Sequence, residues 1–440
     1  MNTNATGIKH HARPRSGATP AIAALVVLAF FFAGCRAPEQ TRNTQMTETK
    51  TNTAPEPGSS NATNAGNDAL SIHRRALMID MHADTVQFII DEGADINQRL
   101  ETTHLDAVRM REGGLDAQFF SIWVEPQFYG AGGERAIARA DEQIAAIRAL
   151  AERYPETWVL ATSAADIRRA ARDGKLAALL GLEGGYPIDD RIENVERYYQ
   201  MGVRYMTPVW TVSLSWAGSS GDEAGRTRGL DDFGRAVIRE MNRLGMMVDV
   251  SHVSDQTFWD IVETSTKPII ATHSNARALV NVPRNLTDEQ IRAVAASGGV
   301  VCVVFYPSFV EPGWEERKRN VEVEIAGMVR EAGQRATGRG SFRRIARDRV
   351  REREFLKRLP PVTVARVVDH IDHIVRLVGV EHVGIGSDFD GIQAVPRDLA
   401  SVADMPNLTA ELLRRGYKEE EVAKILGGNV LRVMEEVERK

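Results

Sequence analysis

From about residue 76 onward, short apolar runs alternate with longer segments whose apolar positions recur at helical spacing. Eight runs have the length and branched-residue content of buried strands: Ala76 to Met81, Leu115 to Trp123, Leu176 to Leu182, Tyr205 to Val209, Met246 to Val250, Pro268 to Thr272, Gly299 to Phe305, and His382 to Gly386. Between them lie amphipathic stretches such as "GERAIARADEQIAAIRALAERY" and "DDFGRAVIREMNRLG". A strand that returns parallel to its predecessor needs a crossover, and these helices supply it. Eight such units predict a single-domain α/β protein, a (β/α)8 TIM-like barrel, with an open doubly wound sheet as the alternative. Ser254 followed by Asp255, and a capping box from Thr287 to Gln290, mark two of the helix starts. The charged stretch from Glu315 to Leu359 is longer than a barrel loop requires. It reads as a helical insertion between strands seven and eight, with its helices solvated on the surface.

The pattern is different before residue 70. His10, His11, Arg13 and Arg15 precede an apolar run from Ala21 to Phe32, which is the length of a signal peptide and short for a membrane span. The run closes with Phe32-Ala33-Gly34-Cys35, which resembles the bacterial lipoprotein box, where the signal is cut before a cysteine that then carries lipid. The only other cysteine, Cys302, sits in the apolar run "GGVVCVVFYP", where a disulfide to the leader is implausible. After Cys35 the chain is rich in Thr, Asn, Pro, Glu, Gly and Ser, with little to bury. The expected organisation is a lipoprotein signal peptide over 1–34, a lipidated cysteine and disordered tether over 35–69, and a folded domain over 70–440. The resemblance implies a bacterial envelope location, with the domain held to a membrane by its lipid and facing the periplasm or the exterior. A net charge of -5 gives no reason to expect nucleic acid as a partner.

Candidate chemistry collects where a barrel would place it, at the carboxyl ends of the strands. The first run ends in "MHADT", with His82 and Asp84 two residues apart and so on the same side of an extended chain. The third ends in "GLEGG", giving Glu183 and two glycines that permit a tight turn. The fifth leads to His252, the sixth to His273, and the eighth to Asp388 and then Asp390. Of ten histidines, three stand at the ends of predicted strands. His370 and His373 lie in a helical run, His382 precedes its strand at the opposite end, and His73 and His104 have no companions of this kind. Three imidazoles with two or three carboxylates exceed a single zinc site of three protein ligands. They fit two divalent ions sharing a carboxylate.

Taken in order, "HAD", "GLEGG", "VDVSHVSD", "IIATHSNARAL" with "VPRNLTD", and "HVGIGSDFDG" resemble the renal, or membrane, dipeptidase family of metallopeptidases, from about residue 70 to the closing "LGGNVLRVMEEVE". The resemblance implies a (β/α)8 barrel with two Zn2+ ions that hydrolyses dipeptides. It implies that His82 and Asp84 bind one zinc, His252 and His273 the other, and that Glu183 bridges them. Asp388 would hydrogen-bond the attacking water and pass its proton to the leaving amine. Arg284 would grip the terminal carboxylate of the substrate, a task suited to a planar guanidinium. Family members often pair as homodimers, although no residue pattern here points to one. Two positions depart from the family pattern. Trp210, in "RYMTPVWTVSLSWAG", stands where the family usually has a substrate-contacting histidine, and Tyr186 follows "EGG" where many relatives have histidine. Tryptophan offers one N–H and cannot change charge. Hydrolysis of other amides or lactones at the same metals, and a non-catalytic envelope binding protein, therefore stand as alternatives.

Overall fold

The computed structural model describes residues 68–129, 133–336 and 342–439. The expected signal peptide, Cys35 and nearly all of the expected tether lie outside the described residues. One boundary moves. Residues 68–75 are helical, with Ala69 buried, so Asp68 and Ala69 belong to the fold and not to the tether.

Nine strands are present among the described residues: β1 Ile79–Ala83, β2 Ala117–Trp123, β3 Trp158–Leu160, β4 Leu176–Glu183, β5 Val203–Thr207, β6 Met247–Asp249, β7 Ile269–Ala271, β8 Val300–Val303 and β9 Val383–Ile385. All pairs are parallel, in the order β1-β2-β4-β5-β6-β7-β8-β9. The eighth strand meets the first through a bridge between Ala83 and Phe389. There Asp84 N donates to Phe389 O (2.9 Å) and Asp388 N donates to His82 O (3.0 Å). The expected eight-stranded barrel is thus the observed one. The ninth strand, β3, pairs only with the outer part of β4 and is too short for its sequence to show alternation.

Seven of the eight barrel strands are buried along their whole length, β5 alone having one half-buried residue, and most are near-continuous apolar runs, as a sheet covered on both faces requires. One core cluster includes Phe119, Leu179, Tyr205, Met247, Ile270 and Cys302. The larger one packs the other strand faces, such as Phe120, Ile122, Leu180 and Leu182, against the surrounding helices. Ser254 caps the helix Asp255–Thr264 by accepting from Thr257 N, and Thr287 forms the expected box with Gln290.

The insertion between β8 and β9 is a pair of helices, Trp314–Arg335 and Phe342–Arg358. They are not the solvated surface helices that their charge predicts. Trp314, Val321, Ile325, Ile345 and Phe355 are buried. His104 accounts for part of the docking. It was set aside as lacking companions, yet it is buried between Asp390 and Glu352, with Nε2 at 2.9 Å from Glu352 Oε1. Arg349 pairs with Glu92 from the helix Val86–Glu92. The second insertion helix is therefore held against the mouth of the barrel.

Candidate active site

The strand ends deliver the predicted side chains to one place. His82 lies inside β1, one residue before its end, and Glu183 is the last residue of β4. His252 and His273 follow β6 and β7, and Asp388 follows β9. All five are buried or nearly so. Glu183 stands between the histidines. Its Oε2 lies 3.4 Å from His82 Nε2, while its Oε1 lies 2.8 Å from His252 Nε2 and 3.7 Å from His273 Nε2. Asp84 Oδ2 is 3.6 Å from His82 Nε2. The rings of His82 and His273 stack with centroids 3.9 Å apart.

The donor atoms of His82, Glu183 and His273 form one cluster and those of His82, Asp84 and Asp388 another, each within 4.8 Å. Two features fit these clusters to cations. His82 Nε2 is buried with no hydrogen-bond partner, and the Nε2 atoms of His252 and His273 face each other at 2.9 Å. Buried polar atoms normally find partners, so an orphaned imidazole nitrogen aimed at two carboxylates marks a ligand position. The mixed nitrogen and oxygen donors suit zinc and similar divalent ions.

The supporting shell fixes which ring nitrogen is offered. His82 Nδ1 is hydrogen-bonded to the Tyr205 hydroxyl and His273 Nδ1 to Thr272 Oγ1, each at 2.8 Å, leaving both Nε2 atoms for the centre. Beneath them sit two buried aspartates that sequence reasoning missed. Asp80 accepts from Ser387 N and Oγ, and burial, opposed by those hydrogen bonds, pushes its carboxyl up to about 6. Asp249 accepts from Ser251 and Thr272, and from the Thr207 hydroxyl. A signal existed: each interrupts an apolar strand two or three residues before a site histidine.

The electrostatics call for positive charge at the centre. Burial and the Arg284 guanidinium bring His252 down to about 4, so its ring is neutral and free to ligate. His82 moves the other way. Burial opposes its charged form, but Tyr205, Glu183 and Asp84 outweigh that and hold its pKa well above the ordinary value. A proton there compensates crowded carboxylates, and a divalent ion would do so more fully. Burial, with Asp84 and Glu183 nearby, raises Asp388 well above the usual carboxylate range.

Backbone geometry makes this crowding feasible. Asp388 and Asp390 adopt φ of 64° and 67°, a region that aspartate tolerates better than most residues. A Cβ on Gly391 would lie 2.1 Å from Asp84 Oδ2 and 2.6 Å from Asp388 Oδ1, so only glycine lets the two carboxylates approach. Asp390 points elsewhere, accepting from Thr85 Oγ1 and His104 N, and is not part of the cluster. His370 and His373 serve in helix packing, and His382 bonds Gly299 O at the other end, as expected.

A cavity of about 170 Å3, small enough for a small molecule and little else, opens over the cluster. Arg284 enters it half-buried, donating to Ser251 O and to His273 O (3.1 Å) and lying 3.3 Å from His252 Nε2. Trp210 lines it as well, its ring edge-on to Trp123 with centroids 4.8 Å apart. Tyr186 braces that loop, donating to Val212 O and accepting from Trp210 N. Arg344, from the second insertion helix, also reaches the cavity, and no sequence pattern had flagged it.

Residues 67–440 match the model of a family described as membrane dipeptidase, peptidase family M19. The chain belongs to this family. Membership makes it a peptide-bond hydrolase that uses metal, in agreement with the cluster. Solved structures agree with the membrane dipeptidase assignment. The probable dipeptidase PvdM from Pseudomonas aeruginosa superposes with a TM-score of 0.72 at 26% identity, over 86% of this chain and 99% of that one. A metallo peptidase from Rhodobacter sphaeroides, liganded with a phosphinate mimic of the dipeptide L-Ala-D-Ala, gives 0.66 at 26% identity, over 82% and 99%. A metallo peptidase called dipeptidase AC, from the same family, gives 0.66 at 26%, over 82% and 98%.

Proposed function

We propose that this protein is a dipeptidase that binds two zinc ions, with His82 and Asp84 on one, His252 and His273 on the other, and Glu183 between them. One observation carries the reading: the two oxygens of Glu183 are divided between His82 on one side and His252 with His273 on the other. Bound there, the ions would supply Lewis-acid polarisation of the scissile carbonyl and acidify a water. The remaining work belongs to side chains. Arg284 holds the substrate's terminal carboxylate with a guanidinium already fixed by two backbone carbonyls. Asp388 accepts one proton from the attacking water as its oxygen bonds to the carbonyl carbon. It then delivers that proton to the amide nitrogen as the C–N bond breaks, yielding two amino acids.

Zinc content measured together with turnover of a dipeptide panel tests this reading. Two ions per chain and turnover that vanishes in Glu183→Ala are expected. Turnover unchanged after metal removal, or a panel left untouched by zinc-loaded protein, would refute it. A second reading, hydrolysis of another amide or a lactone, is favoured by Trp210, which lines the cavity where the family histidine is expected. Lactones and N-acyl amino acids belong beside the dipeptides for that reason. The proposal extends to location. Lipid on Cys35 would tether the barrel to a membrane of the cell envelope, and the support is the basic, apolar and Cys35-terminated leader. Among the described residues no helix is long and apolar enough to cross a membrane. Cys35→Ser should move the protein from the membrane to the soluble fraction.

A further inference from the structure

We propose that Arg344 makes this site selective for dipeptides whose amino-terminal residue is acidic. The inference rests on the dipeptidase reading, because it takes Arg284 as the holder of the terminal carboxylate.

Arg284 sits against the loops after β6 and β7. Arg344 lies among Asp84 after β1, Trp123 at the end of β2, and Gly391 beyond β9. In the barrel order, β6 and β7 stand four places around from β1 and β2, so the two guanidiniums face one cavity from opposite walls. A dipeptide whose carboxylate is on Arg284 and whose amide nitrogen is near Asp388 extends its amino-terminal residue toward the Arg344 wall.

That wall carries donors that nothing among the described residues accepts. Nε and Nη2 of Arg344 are buried with no hydrogen-bond partner, and so is Nε1 of the adjacent Trp123. Nη1 makes only a long 3.4 Å contact with Asp348, whose other oxygen is taken by Arg351 at 2.9 Å. The guanidinium lies 5.1 Å from the Trp123 ring centroid, which fixes its plane. Buried, unpaired N–H groups on a cation are costly unless a ligand supplies acceptors. Asp84 lines the same cavity and feels the charge of Arg344, and once it is engaged by a cation it no longer offsets the arginine. A neutral side chain would leave the charge uncompensated, and a basic one would add to it. A side-chain carboxylate supplies both the charge and the acceptors.

The position is built, not incidental. The helix Phe342–Arg358 is fixed to the barrel by Glu352 on His104 and by Arg349 on Glu92, both in the turns that follow Arg344.

The test is kcat/KM for Glu-Ala, Asp-Ala, Ala-Ala and Lys-Ala with zinc-loaded wild type, R344K, R344A and R344E. Ratios are taken within each protein, so a general loss of activity cancels. The wild-type ratio of Glu-Ala to Ala-Ala should be about 10 or more, the effect of one charge-assisted hydrogen bond, and should reside in KM. It should persist in part in R344K, approach unity in R344A, and fall below unity in R344E, with Lys-Ala rising. Equal turnover of acidic and neutral dipeptides by wild type, or an acidic preference that survives R344A, overturns the inference and leaves the dipeptidase reading standing. No turnover of any dipeptide overturns that reading, and this inference with it.

Discussion

The single side chain that most shapes the metal centre without entering it is Tyr205. Its hydroxyl sets the tautomer and the tilt of His82 through a 2.8 Å hydrogen bond. Tyr205→Phe should weaken metal binding by about 10-fold to 100-fold, the usual cost of losing such a partner, with little change in fold. Chelator competition measures it, and unchanged affinity would show that packing alone orients the ring. Trp210 poses the complementary question. If a neutral donor is missing at that position, Trp210→His should raise kcat on dipeptides by up to about 100-fold while KM changes little. A variant in which only KM moves would make Trp210 a wall and not a substitute. The five proposed metal ligands and Asp388 could be found from sequence because each lies at or just beyond the end of a strand, whereas Arg284, in a loop well past β7, was legible only through the family motif "VPRNL". Asp80 and Asp249 left a trace, each interrupting an apolar strand shortly before a site histidine, but Tyr205 left none, because a tyrosine inside an apolar strand has no periodic signature.

At the level of elements, the second insertion helix decides what the cavity can admit, and His104 is its pH-sensitive anchor. Burial disfavours the charged ring, but Asp390 and Glu352 more than offset it and raise its pKa to about 10. The folded protein therefore keeps a proton that the unfolded chain loses near 6.5. The stabilisation is fully present below about 6.5 and is lost as pH rises through 10. His104→Gln should be less stable than wild type at pH 6.5 and converge with it near pH 10, read from urea midpoints across that range. Parallel curves would show that the ion pair contributes nothing. Element type and order were legible because buried parallel strands and amphipathic crossovers have distinct periods. The insertion was misread for a physical reason. Its arginines and glutamates pair with one another and with the barrel, as Arg351 does with Glu322 and Arg349 with Glu92, and composition cannot tell such pairs from solvated charge. The three-residue β3 escaped because it is stabilised by one neighbour and has no pattern of its own.

For the whole molecule, the proposed metal centre would act as a tie across the barrel. Its proposed ligands come from β1, β4, β6 and β7, which lie far apart in sequence, and the barrel closes on β1 through contacts at the rim beside them and through Ser387 on Asp80 beneath. Removing the cations leaves Asp84, Glu183 and Asp388 buried and facing one another, compensated by little more than the proton on His82. A ligand bound only by the folded state stabilises it by roughly 2.7–4.1 kcal/mol at 100 to 1,000 times its Kd. With about 2.1 cal/mol/K of unfolding entropy per residue over roughly 370 residues, each ion is worth about 3–5 °C in Tm. Chelated protein should melt lower by that amount per ion lost, and stepwise return of Zn2+ should restore it in two increments if both sites fill. A single increment would leave one ion and reassign Glu183 from bridge to terminal ligand. No shift at all would mean that the strand-end cluster holds no metal that matters to the fold.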